Sequence, residues 1–122
     1  MKDTPYAAIL RAAVERTPHA VGGAFAAADG EMVDAVASLD PLEWAIFTAH
    51  YGVVLANIQA VLATWHFGDT RWVIFEHHAL DVVVGPVAAG YYALLAVSQP
   101  APLAAAMRAL DTAVGELRRE MS

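Results

Sequence analysis

The sequence predicts an α+β domain with the element order αββαβββα, and three observations predict it. Apolar residues recur at helical spacing in three separate places, runs rich in β-branched and aromatic residues fall between them, and turn or capping residues sit at the junctions. At 122 residues the chain is long enough for one core and short for two, so a single domain over residues 1–122 is expected.

The first helix starts at Thr4-Pro5, a capping hydroxyl followed by a proline whose missing N–H costs nothing at the first position. Tyr6, Ile9, Leu10, Ala13 and Val14 mark its apolar face, and Thr17-Pro18 stops it. Residues 20–28 read as a strand of small apolar residues, Asp29-Gly30 as a tight hairpin turn, and residues 32–37 as the returning antiparallel strand. Asp40-Pro41-Leu42-Glu43 combines a cap residue, a first-position proline and an acid three residues after the cap, so the second helix starts there. Gly68 is its expected stop. Residues 71–76, 80–84 and 91–97 follow as a three-strand meander, divided by His77-His78-Ala79 and by residues 85–90. Leu103, Met107, Leu110, Val114, Leu117 and Met121 then step by four and three along an amphipathic third helix.

Composition removes several classes of function. Only seven residues are basic in a chain of net charge −6, so no cationic stripe exists to hold nucleic acid. No cysteine is present, which excludes disulfides and thiolate zinc sites. The opening MKDTPYAAIL lacks the basic and apolar regions of a leader, so a cytoplasmic location is expected. Hydrophobic residues reach 58% against 16% charged, and this excess suggests apolar surface that a partner covers.

That excess concentrates in residues 44–68, WAIFTAHYGVVLANIQAVLATWHFG, which contain no Lys, Arg, Asp or Glu. On a helical projection one face is bulky, with Trp44, Phe47, Tyr51, Val54, Leu55, Ile58, Val61, Leu62 and Trp65. The opposite face is small: Ala45, Ala49, Gly52, Val53, Ala56, Ala60 and Ala63, with Leu42, Ile46 and Phe67 at its margins. His50 and Asn57 lie in one polar seam between them, Gln59 in the other. A membrane span of this length would place His, Asn and Gln in hydrocarbon with no basic flank, so no span is expected. A helix apolar on both faces calls for two packing partners, and an alanine-rich outer face left in water is the plain alternative. Which face meets the sheet is open at this point.

AVGGAFAAADGEMVDAV (residues 20–36), the long helix ending at Gly68 and VVVGPVAAGYYALLAV (residues 82–97) together resemble the Roadblock/LC7 domain family, which includes MglB-type bacterial regulators. The resemblance covers nearly the whole chain and rests on ordered pattern, with no invariant catalytic motif. It implies an α/β sandwich: a five-stranded antiparallel sheet with the long second helix on one face and the terminal helices on the other. It further implies a homodimer paired through the long helix and the third strand. On this sequence the implied interface is Ala45, Ala49, Gly52, Val53, Ala56, Ala60 and Ala63 with Arg71, Trp72, Val73, Ile74 and Phe75. His50, Asn57 and Gln59 remain as candidates for a further partner. For MglB-like members that partner is a small Ras-like GTPase, whose nucleotide cycle or location the dimer modulates without an arginine finger. Arg71 is the one arginine near the implied seam. The alternative is a dimeric scaffold with no effect on GTP hydrolysis.

Catalytic chemistry finds little support. The three serines, Ser38, Ser98 and Ser122, lack a nucleophile-elbow context, and the only lysine is Lys2. Glu76-His77-His78 with Asp81 has metal-ligand residue types, but neighbouring strand residues point to opposite faces, so a solvated hairpin tip is the simpler reading. No enzyme activity and no cofactor are expected.

Overall fold

The computed structural model describes residues 3–122, so Lys2 lies outside the described residues. Helix α1 (Pro5–Arg16) begins where the Thr4 hydroxyl accepts from the Ala7 N–H at 3.0 Å. Strands β1 (Ala20–Ala27) and β2 (Met32–Ala37) form the expected hairpin, with Gly30 at φ +96°, a left-handed conformation glycine adopts without strain. Helix α2 (Pro41–Leu62) is capped by the Asp40 carboxylate, which accepts from the Glu43 N–H at 3.0 Å. Strands β3 (Val73–Glu76), β4 (Leu80–Ala88) and β5 (Tyr91–Ser98) precede helix α3 (Leu103–Met121). All five strands join one antiparallel sheet in the order β2-β1-β5-β4-β3, which leaves β3 at an edge.

The sheet separates two apolar layers, as the resemblance implies. Leu10 of α1 and Leu110 and Leu117 of α3 pack on one face with Phe25, Val83 and Leu95. Trp44 and Leu55 of α2 pack on the other with Val82, Val84, Tyr92 and Leu94. Alternation along β4 sends Val82 and Val84 to α2 and Val83 and Val87 to the terminal helices. Central strands buried on both faces explain why β4 and β5 read as continuous apolar runs.

Two close approaches fix α2 on the sheet. The Trp44 indole N–H donates to the Gly23 carbonyl at 3.1 Å, and a Cβ on Gly22 would lie 2.9 Å from the indole ring. The glycine pair in β1 therefore makes room for a buried tryptophan. Further along, the Tyr92 hydroxyl donates to the Thr48 carbonyl at 2.8 Å, with Gly52 seated over the phenol ring. Burial, reinforced by the negative charge of Asp29, pushes the Tyr92 phenol up to about 12. The raised value means that its stabilising contribution is full below pH 10 and is lost as pH rises through 12. Tyr92→Phe is expected to lower stability by about 1 kcal/mol at neutral pH, and to remove this residue's share of the alkaline loss. Urea unfolding of both proteins at neutral and alkaline pH measures the difference.

Three boundaries differ from the sequence reading by two residues or more. Helix α2 stops at Leu62 and not at Gly68; residues 60–68 are all exposed, so no packing supports a further turn. Strand β4 continues through Gly85-Pro86 to Ala88, with an irregularity between Pro86 and Ala88, where it has already outrun its β3 partner at Val84. Proline is tolerated there because the position is an edge. Strand β3 starts at Val73, two residues later than expected.

Candidate interaction surface

The face that α2 turns to the sheet runs through Trp44, Thr48, Gly52 and Leu55, all buried, with Phe47, Tyr51 and Ile58 half-buried beside them. The N-terminal part of the bulky face, Trp44, Phe47, Tyr51 and Leu55, therefore belongs to this chain's own core, whereas Val54, Val61, Leu62 and Trp65 are exposed. The outer face carries the small residues, with Val53, Ala56, Ala60 and Ala63 exposed and Ala45 and Ala49 half-buried at its margin. Gly52 departs from its assigned place in the seam. It faces inward, and a Cβ there would lie 2.6 Å from Cζ of Tyr92, so the residue is a packing contact within the chain.

An aromatic chain ties this helix to the edge strand. Trp44 stacks on Phe47 with centroids 5.0 Å apart, Phe47 meets Tyr51 at 4.9 Å, and Tyr51 meets Phe75 of β3 edge-on at 5.1 Å. The Tyr51 hydroxyl also lies 2.8 Å from His77 Nε2, and burial pushes the phenol pKa up. Helix α2 and strand β3 are thus joined into one continuous surface. Val73 and Phe75 pack toward α2, Ile74 is exposed on the opposite face, and Arg71 is exposed just ahead of the strand. Trp72, also assigned to the seam, turns instead toward the layer of α1 and α3, where its ring fills the space left by Gly85. A Cβ on Gly85 would lie 2.5 Å from that ring.

The three polar candidates separate. His50 and Asn57 are exposed on the outer face; the His50 Nδ1–H donates to the Ile46 carbonyl at 2.7 Å, so in the neutral ring Nε2 is left as an outward acceptor. Gln59 is half-buried and lines a cleft of about 780 Å³ at the end of the sheet, bounded also by Arg71, Trp72, Tyr91, Asp111 and Arg118. Arg118 was not singled out in the sequence. Its Nε–H donates to the Val87 carbonyl at 2.7 Å, where β4 has lost its partner, and only the crossing of α3 over β4 brings the two together. Glu76, His77 and His78 are exposed at the hairpin tip, whereas Asp81 is buried and accepts from the Gln99 amide at 2.6 Å. The four do not converge on one point.

A sheet in this order, with one long helix on one side and two terminal helices on the other, is the Roadblock/LC7 fold. The chain is similar to the Roadblock/LC7 domain from Streptomyces avermitilis, at a TM-score of 0.86 and 18% identity over 98% of both chains. It is also similar to Myxococcus xanthus MglB, at a TM-score of 0.86 and 9% identity over 99% of this chain and 98% of that one. An MglB in a tetrameric arrangement matches at a TM-score of 0.84 and 15% identity over 98% of this chain and 91% of its own. No protein-family model and no curated protein sequence matches the chain.

Proposed function

We propose that the chain is a non-catalytic, cytoplasmic regulatory module that forms a homodimer, binds a small Ras-like GTPase and modulates its nucleotide cycle or location. The observation that carries the proposal is the outer face of α2. Leu42, Val53 and Val61 are 70%, 58% and 67% exposed along one helix whose single charged residue is Glu43, a display that single copies of soluble proteins rarely leave uncovered. The open β3 edge beside it, VIFE, has no Lys or Pro to block pairing, and a second strand satisfies its free backbone groups. The fold shared with MglB supports the GTPase as the further partner, and His50 and Asn57 offer polar contacts outside the apolar strip.

Purified chain mixed with a small GTPase encoded beside its gene is expected to co-elute with it and to change its GTP turnover by about tenfold or more. Arg71→Ala is expected to leave most of that stimulation in place, because a true arginine finger supplies about 10³- to 10⁵-fold. Co-elution with unchanged turnover favours the scaffold reading, and absence of binding contradicts the GTPase proposal.

A further inference from the structure

In an acidic chain with only seven basic residues, two guanidiniums meet in the cleft of about 780 Å³ at the end of the sheet: Arg71, from the segment before β3, and Arg118 of α3. Two carboxylates, Asp69 and Asp111, line the same cleft. Opposite charges on a protein surface often pair directly, as Arg11 does with Asp3 and Arg16 with Glu116. Among the described residues none of the four in the cleft forms an ion pair, and the one side-chain hydrogen bond any of them makes is that of Arg118 Nε.

The fold holds these charges apart. Asp111 and Arg118 stand two turns, about 10 Å, apart on α3, twice the spacing of helix neighbours that touch. The Arg118 Nε–H is committed to the Val87 carbonyl at 2.7 Å, where β4 has outrun β3, so the guanidinium is anchored and its two terminal NH2 groups are left to a ligand. Between the two charges the same helix face carries Val114 and Gly115. The nearest atom to a Cβ on Gly115 would be Nη1 of Arg119 at 3.8 Å, so the floor between the charges is open. Trp72 and Tyr91 add aromatic surface to the lining.

We propose that this cleft binds a free amino acid as a zwitterion. The Arg118 fork takes the carboxylate, Asp111 takes the ammonium group, and the side chain lies against Val114 and the aromatic lining. Charge sign makes the choice. A phosphate or simple carboxylate would face Asp69 and Asp111, and a simple cation would face Arg71 and Arg118, whereas a molecule carrying both charges satisfies both sets. The volume falls within the roughly 300–1,000 Å³ of small-molecule sites. Every group comes from one copy, so binding needs neither a dimer nor a GTPase.

The twenty standard amino acids, each at about 10 mM, are screened by thermal shift, and those that act are titrated by calorimetry. At least one with an apolar or aromatic side chain is expected to bind one molecule per chain and to raise the melting temperature by about 3 °C or more. Blocking either end of that amino acid, as its N-acetyl or its amide form, is expected to weaken binding about tenfold or more. Asp111→Asn and Arg118→Gln are each expected to do the same while circular dichroism stays unchanged. Asp111 is exposed, so its variant separates lost binding from lost folding. Absence of binding by all twenty overturns the proposal. So does equal binding of a blocked form, which would mark the cleft as a site for a peptide terminus, and so does binding indifferent to both variants.

Discussion

Gly52→Val is expected to destabilise the protein by about 3 kcal/mol or more, with a melting temperature lowered by roughly 10 °C. The new Cβ would lie 2.6 Å from Cζ of Tyr92, and the ring has nowhere to go: Tyr92 is 2% exposed and its hydroxyl is held by the Thr48 carbonyl. Forcing the ring aside costs packing and breaks that hydrogen bond, each on the order of 1–3 kcal/mol. The gain in helix propensity on replacing glycine is about 0.5–1 kcal/mol and does not compensate. Ala60→Val, on the exposed outer face, serves as the control and is expected to shift stability by less than about 0.5 kcal/mol. Equal melting temperatures for the two variants would contradict the placement of Gly52 against its own sheet.

Val53→Arg is expected to do the reverse, leaving the fold intact and dissociating the proposed dimer. Val53 is 58% exposed in one copy, so an arginine there meets water and costs the monomer little. Covered by a second copy, the same guanidinium is an unpaired charge taken out of water, and symmetry places two of them near the axis. A weakening of at least about a hundredfold in the dimer dissociation constant follows, read by sedimentation equilibrium with circular dichroism as the check on folding. A variant that keeps both its spectrum and its dimer mass would move the seam away from the outer face of α2.

The contrast between these two neighbours shows what the sequence could and could not reveal. Helix starts were legible because Thr4 and Asp40 carry their instruction locally, as does Asp29-Gly30 for the first hairpin. The end of α2 was not legible. Gly68 does adopt the left-handed conformation of a stop, at φ +93°, yet the helix ends six residues earlier, within a stretch, residues 60–68, that is exposed throughout. Helical projection divided α2 into bulky and small faces, but burial follows a stripe that takes Gly52 from the small face and leaves Val61 of the bulky face outside. The deciding partners, Tyr92 beneath Gly52 and Gly85 beneath Trp72, lie in strands distant in sequence. Gly85 was visible as a glycine and was read as part of a turn; its role as a slot for an indole needed the register of β3 against β4. Arg118 carried no local signal at all, since its contact with Val87 depends on how α3 crosses the sheet.

The most direct test of a covered α2 face and β3 edge is the mass of the unmodified chain in solution, followed by sedimentation velocity from low to high micromolar concentration. A species of twice the 13.0 kDa chain mass, persisting on dilution, is the predicted result. A single 13.0 kDa species at every concentration would contradict it.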